Sequence, residues 1–457
     1  MPNRPRPCVY LLLLLLAAPS AVPRADTFTW RTKENQVDVD IRDWKLAKLL
    51  TTVAVATGWR IYIEPGTDPF ISVKFKGIQP SEALPKLLGD LNYALQKQSG
   101  SPARLFVYRT SISSATELIE TPAESKPVDE QGRLTRELIV TLKPGHAKSI
   151  DEIAKQLHAK VVGRLDGQGA YRLEFETAAD ADNARASLQN ESEVSDVDSN
   201  YQIQRPLNPE ALALASPLPL KLTPKALGAG NQVVVGLIDS AVQRVGSGLK
   251  EFLLPQLNMA GEPPVDDSNL NHGTAMASTI LRGISITTET GSTAAKILPV
   301  DVYGTRESTS TYDVARGISR AVQDGANIIN LSLGSSAGSP FLQNMISDLH
   351  AKGVLFVGAA GNEPTTSPSY PAAYPEVIAV TAGDRYGKLA DYANRGDFVD
   401  IVAPGSSIIQ FGDKSFMGTG TSFATAYITG VAAAMANDSK IPLTQLEAQL
   451  RQKLGKK

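Results

Sequence analysis

Apolar and polar residues follow one another in two different ways along this chain, and the change from one to the other divides it. "QVDVDIR" alternates with the period of a half-buried strand, and "WKLAKLLTTVAVATG" then sets Leu46, Leu49, Leu50 and Val53 on one helical face closed by Gly58. "WRIYIEP" and "FISVKFKG" read as strands, "PSEALPKLLGDLN" as a second helix, and "YALQKQ" and "RLFVYRT" as closing strands, so residues 30–110 form a small α+β unit. Residues 111–135, with "SSATELIETPAESKPVDEQGR", have the composition of a linker. The same element order returns in 136–204: "ELIVTLKPG" strand, "SIDEIAKQLHA" helix, "KVVGRL" and "AYRLEFE" strands, "DADNARASLQN" helix, and a last strand through "VSDVDSNYQIQ".

A proline- and leucine-rich stretch without period, residues 205–229, reads as an extended connection. Beyond it the pattern changes. Short wholly apolar runs, "VVVGLID", "AKILPVDVYG", "GANIINLSLG", "GVLFVGAAGN" and "VIAVTAGD", alternate with helical stretches such as "STYDVARGISRAVQDG" and "FLQNMISDLHAKG". Strands that apolar are buried on both faces, which implies an α/β domain over 230–457 with a doubly wound, mostly parallel sheet, preceded by two small α+β domains.

The 457 residues leave room for several domains, and 45 Lys+Arg against 47 Asp+Glu leave no electrostatic reason to expect nucleic acid as a partner. At the start, Arg4 and Arg6 precede "VYLLLLLLAA" and a small-residue stretch, the order of a signal peptide over residues 1–25. The run is shorter than the ~20 residues that span a bilayer. The single cysteine, Cys8, would leave with it, so the exported chain, periplasmic or secreted, has no disulfide.

In doubly wound sheets reacting groups collect at the carboxyl ends of the strands. Asp239 ends "VVVGLID", His272 stands in "NHGTAMAS", one of four histidines, and Ser422 opens the small-residue helix of "GTGTSFATAYITGVAAAMA" behind Gly418 and Gly420. Aspartate, histidine and serine in this order differ from the chymotrypsin order, and Ser422 is not in a G-x-S-x-G elbow. A serine hydroxyl needs a neutral imidazole to take its proton, and the imidazole needs a carboxylate to orient it. His146 and His158 fall in the second small unit, and His350 is expected on a solvated helix face.

With "LIDS", "NHGTAMAS", "INLSLG", "AAGN", "YPAAYPEVIAV", "VAPG" and "GTSFAT" in this order, residues 230–450 resemble the subtilisin-like serine proteases. Residues 136–204 resemble the prodomain of such proteases, in "ELIVTLKPG" and the acidic-aromatic ending "SDVDSNYQIQ". Residues 30–110 resemble the short N-terminal domain of secretins and TonB-dependent receptors, in "VDVDIRDWKLAKLL" and "ISVKFKGIQPSEALPKLL". The first resemblance implies a peptide hydrolase in which Asp239, His272 and Ser422 react, and Asn362 with the backbone N–H of Ser422 forms the oxyanion hole. Ser332, Leu333, Gly334, Ala359, Ala360 and Gly361 would line the substrate pocket and favour cleavage after large apolar or aromatic residues.

The second resemblance implies a prodomain that inhibits intramolecularly and is cut away between about Tyr201 and Lys225, and the third a partner in the envelope or secretion machinery. No cofactor is required. Structural calcium, known among relatives, is not assignable here, since Asp266 and Asp267 are oxygen ligands only in principle. Three positions depart from the family pattern, Ala241 where a glycine is usual, and Ala426 and Tyr427 where proline and then histidine are common. The competing reading is a protease fold retired from catalysis and kept as a binding or assembly protein.

Overall fold

The computed structural model describes residues 26–31, 34–98, 101–115, 117–119, 128–145, 148–207, 212–214, 220–226, 232–244, 247–261, 269–384, 386–412, 414–439 and 441–455. The expected signal peptide with Cys8, and His146, Asp266 and Asp267, lie outside them. The chain divides into two compact units, Met1–Ser125 and Lys126–Lys457.

In the first unit β1 (Thr27–Arg31) and β2 (Gln36–Lys45) lead into α1 (Leu46–Thr57), followed by β3 (Arg60–Ile63), β4 (Phe70–Ile78), α2 (Pro80–Leu88), β5 (Asn92–Gln98), β6 (Ser101–Tyr108) and β7 (Glu117–Ile119). The helical face expected of α1 is the buried one, with Leu46, Leu49, Leu50 and Val53 in the core, and Gly58 ends the helix at φ 71° with its N–H on the Ala54 carbonyl. Two sheets form, in the orders β1-β2-β4 and β5-β6-β3-β7. The boundary expected at residue 110 is too early. Three residues of the supposed linker, β7, pair antiparallel with β3, a strand too short to show a period in the sequence.

The second unit opens with β8 (Arg133–Leu142), α3 (Ile150–Gln156), β9 (Lys160–Leu165), β10 (Ala170–Glu174), α4 (Ala178–Leu188) and β11 (Val194–Gln204), the elements the sequence pattern predicts. The stretch after it is pinned at two points. β12 (Leu212–Ala213) and β13 (Thr223–Pro224) are two-residue strands, each paired with a later part of the chain. Then come β14 (Val234–Asp239), α5 (Ser247–Lys250), β15 (Leu257–Asn258), α6 (His272–Thr287), β16 (Ser292–Thr293), β17 (Lys296–Asp301), β18 (Ser308–Ser310), α7 (Thr311–Gln323), β19 (Ile328–Leu331), α8 (Pro340–Ala351), β20 (Leu355–Ala359), β21 (Val377–Gly383), β22 (Ile401–Pro404), β23 (Ser406–Phe411), β24 (Lys414–Thr419), α9 (Thr421–Ser439) and α10 (Leu443–Leu454).

Seven strands make one parallel sheet, ordered β15-β17-β14-β19-β20-β21-β22. Alternate residues of each strand serve opposite faces. Val235, Leu237 and Val357 join α6 and α9 in one core, while Val234, Ile238 and Phe356 join α7 and α8 in another. That second core also takes in Ile139, Leu165, Ala170 and Ile203 from the preceding β-sheet, so this sheet is packed on α7 rather than tethered beside it. Gly163 permits the contact, because a Cβ there would lie 2.5 Å from the Tyr312 ring. β11 then runs on antiparallel to β18, extending the smaller sheet to five strands.

Candidate active site

Asp239 ends β14 with no solvent exposure, and His272 is the first residue of α6, whose N-cap Asn271 accepts the Thr274 N–H at 2.9 Å. His272 Nδ1 lies 2.9 Å from each carboxylate oxygen of Asp239. A carboxylate accepts, so the proton sits on Nδ1 and Nε2 is left as the basic nitrogen. The approach depends on Gly273. A Cβ there would run into the Ser240 carbonyl, and the Gly273 N–H instead bonds Ser240 Oγ at 3.0 Å. Ala241, the first departure from the family pattern, is not among the residues with positive φ, and its carbonyl accepts the Asn271 side-chain amide at 2.8 Å.

Ser422 is the second residue of α9 and is nearly buried. α6 and α9 touch backbone to backbone, for a Cβ at Gly430 would run into the Ile280 carbonyl and one at Gly283 would come within 2.5 Å of the Tyr427 carbonyl. His272 and Ser422 therefore stand at the N-terminal ends of two helices locked together by glycine. Ala426 and Tyr427 continue α9 without a break, so the missing proline does not disturb its first turns. Asn362 follows β20, and its Oδ1 accepts from the Thr421 backbone N–H at 2.8 Å and the Thr421 hydroxyl at 2.9 Å. Both partners are donors, which fixes the orientation of the amide and turns Nδ2 away from Thr421.

Ser332, Leu333 and Gly334 prolong β19, and Ala360 and Gly361 prolong its parallel neighbour β20 beyond Ala359, so the expected pocket residues share one edge of the sheet. Ser332 is tied to α9 by its hydroxyl, 3.4 Å from the Ser422 carbonyl, and Asn330 by the Thr429 hydroxyl at 2.9 Å. Two residues absent from the sequence reading close around these walls. A Cβ on Gly334 would lie 2.9 Å from Ser369 Oγ, and one on Gly361, at φ 109°, 2.6 Å from Asn394 Nδ2. Ser369 directly precedes the "YPAAYPEVIAV" stretch, and no local pattern marks Asn394.

His350 keeps partial solvent contact and also has a partner the sequence does not show. Its Nε2 lies 2.7 Å from Glu447 Oε2 on α10, and Glu447 also receives Arg451 Nε at 2.9 Å, so the histidine belongs to a polar clasp between α8 and α10. Among the described residues no three His, Cys, Asp or Glu side chains gather as a metal site.

Residues 230–454 match the subtilase family, peptidase S8, and residues 120–200 match the fervidolysin N-terminal prodomain. Thermitase of Thermoactinomyces vulgaris is 32% identical over 215 residues, which cover 46% of this chain and 77% of thermitase. The chain belongs to the subtilase family. Subtilisin Savinase of Lederbergia lenta is 36% identical over 41% of this subtilase and 76% of its own length. Against the thermostable alkaline protease of Halalkalibacterium halodurans, 36% identical over 44% of this chain, the match spans 57% of the relative, so the subtilase covers about half the length of several relatives. The epidermin leader peptide processing serine protease of Staphylococcus aureus shares the fold, with a TM-score of 0.53 at 15% identity over 69% of this chain and 92% of that one.

Proposed function

We propose that this subtilase is an exported serine endopeptidase made with its own inhibitory prodomain. The observation that carries the reading is the buried Asp239–His272 pair, with Nδ1 2.9 Å from both carboxylate oxygens and His272 opening α6, the helix packed against α9, whose second residue is Ser422. In this scheme Nε2 of His272 takes the Ser422 proton as the hydroxyl oxygen attacks a peptide carbonyl. The negative charge that develops on the carbonyl oxygen is held by Asn362 Nδ2 and the Ser422 N–H at the start of α9. Collapse of the intermediate breaks the C–N bond, and the imidazolium gives its proton to the leaving amine. Water, deprotonated in turn by Nε2, releases the acyl group and restores Ser422. The pocket walls present backbone and apolar surface, which favours large apolar or aromatic side chains before the cut.

Residues 136–204 act in this reading as the prodomain, docked on α7 and α8, with processing within the connection that follows β11. Export rests on the composition of residues 1–25, and the first unit is read as an adaptor to an envelope or secretion component. A fluorophosphonate that labels wild-type protein on Ser422 and leaves Ser422→Ala unlabelled, together with casein hydrolysis by the former alone, is the expected outcome. Equal hydrolysis by the serine variant would overturn the mechanism, and absence of labelling would favour a retired, binding-only fold.

A further inference from the structure

Asp301 ends β17 directly beside Asp239, the two residues being partners in the sheet register, yet the reaction scheme gives it no part. It is wholly buried. Oδ1 accepts the N–H groups of Tyr303 at 3.0 Å and Gly304 at 2.9 Å, while Oδ2 has no hydrogen-bond partner among the described residues. Burial pushes its carboxyl above the usual range, against the pull of those two N–H groups and of one cation, the Arg205 guanidinium. A buried carboxylate with an oxygen left over is costly unless a cation serves it.

Arg205 is the residue that follows β11. Gln202, Ile203 and Gln204 pair antiparallel with Ser310, Thr309 and Ser308 of β18, and the Arg205 N–H continues the ladder to the Glu307 carbonyl at 2.8 Å. Its side chain turns to the same place from another direction. Nη2 donates to the Gly304 carbonyl at 3.3 Å, and the guanidinium carbon stands 5.8 Å from the centre of the Tyr303 ring. The Tyr303 hydroxyl donates to the Gln204 carbonyl at 3.2 Å, so this ring holds both the backbone of the bound strand and the side chain after it. The Gly304 carbonyl and the Tyr303 face are the surfaces that hold the planar guanidinium, and the buried Asp301 carboxylate attracts its charge from beyond ion-pair contact.

We propose that Tyr303, Gly304 and Asp301 form a subsite for an arginine side chain, which Arg205 fills in the uncut chain and an arginine of a protein substrate fills afterwards. The substrate half of this inference rests on the peptidase reading above, whereas the occupied subsite does not. An extended peptide on the β18 edge would present its residue to Asp301 as Arg205 is presented, and Asp301 selects its charge.

The occupied subsite is tested on the full chain carrying Ser422→Ala. The rate at which an added unrelated protease cuts within residues 201–211 reports how firmly the strand end is held. Arg205→Ala should raise it about tenfold, as expected for loss of a charge-assisted contact, and Arg205→Lys should fall between. In an Asp301→Asn background, where the carboxylate is gone but both backbone N–H groups keep an acceptor, Arg205→Ala should raise the rate less than twofold. Equal acceleration in the two backgrounds would overturn the subsite. For substrates, quenched peptides differing only in Arg or Ala at the Arg205 position are compared on the processed wild-type protein and on Asp301→Asn. The Arg/Ala ratio of kcat/KM should be about ten or more in the first and near one in the second. A ratio near one in wild type would overturn the specificity. Failure of Ser422 to react with fluorophosphonate would instead remove the peptidase reading and leave the protection experiment to stand on its own.

Discussion

Asn200→Ala should loosen the first turn of α7 by about two orders of magnitude. Asn200 lies on β11 with no solvent exposure, and all its polar contacts reach across to other elements. Its Oδ1 accepts the Tyr312 N–H at 3.1 Å and the Thr311 hydroxyl at 2.9 Å, and its Nδ2 donates to Glu137 Oε2 at 2.7 Å. α7 already has its own cap, since the Ser310 hydroxyl accepts the Asp313 N–H, so Asn200 supplies the acceptor for a second orphan donor of the same helix end. Its loss removes a cap contact worth ~0.5–2 kcal/mol and a bond to a charged group worth ~1.5–3 kcal/mol. Thr311 can turn its hydroxyl to other partners, and Glu137 keeps Arg172 at 3.6 Å, so about 3 kcal/mol remains, a factor of roughly 150. Tryptophan fluorescence would miss it, because Trp30, Trp44 and Trp59 all lie in the first unit. Amide hydrogen exchange on the full Ser422→Ala chain, read over the start of α7, should accelerate by that factor while β20 and β21 exchange as before. An acceleration below about fivefold would refute the assignment of Asn200 as a cap supplied from another element.

Three further outcomes are expected. Gly430→Ala drives a methyl group into the Ile280 carbonyl at the crossing of α6 and α9; it should cost about 1–3 kcal/mol in denaturant unfolding and lower hydrolysis more than binding of peptides, and a variant of native stability and rate would contradict the crossing. Asn362→Ala should reduce kcat by about 10²–10³, the range for loss of such a donor in a subtilisin, with KM little changed. In the first unit, Thr110 and Arg109 backbone N–H groups hold the Glu64 carboxyl below its usual value; a depressed carboxyl stabilises the fold above the unfolded value and the gain is lost as pH falls through the folded one, so Glu64→Gln should flatten the acid unfolding curve followed by tryptophan fluorescence.

What the sequence declares is what repeats locally. The face of α1 follows from its period and the strands of the parallel sheet from their unbroken apolar runs, and the motifs that hold Asp239 and His272 meet at 2.9 Å while the one that holds Ser422 opens α9. The two-residue strands β12 and β13 and the three-residue β7 are too short to carry a period, and each exists because a distant partner is there. Asp301 sits in "PVDV", where nothing local distinguishes it from a turn carboxylate; its meaning comes from Asp239 on the next strand and from Arg205 on another element. The partner of His350 is not legible locally, because Glu447 lies on a helix far along the chain.

Two buried polar residues of β11 make the same point and lead to a last prediction. A buried strand ordinarily puts apolar residues inward, yet Asp198 and Asn200 of β11 are both buried. Each meets a helix start. Asp198 Oδ2 accepts the Phe341 N–H of α8 at 2.8 Å and the Ser339 hydroxyl at 2.7 Å, as Asn200 serves α7, and an apolar residue at either place would orphan a helix-end donor. Removal of this strand would hand those donors to water at little cost and uncover the stacked rings of Tyr312 and Phe341, 6.2 Å apart. Asparagine and aspartate differ in one respect. Burial raises the Asp198 carboxyl above its ordinary 3.8 despite three hydrogen bonds. The native state then holds its proton more tightly than the unfolded state, so this group's contribution is greatest below the unfolded value and is lost as pH rises through the folded one. Mild acidification should therefore tighten the start of α8, slowing its amide exchange after correction for intrinsic rates, and Asp198→Asn should abolish the pH dependence. Faster opening of α8 on acidification in wild type, with Asp198→Asn behaving the same, would show that the carboxylate is not desolvated as its position requires.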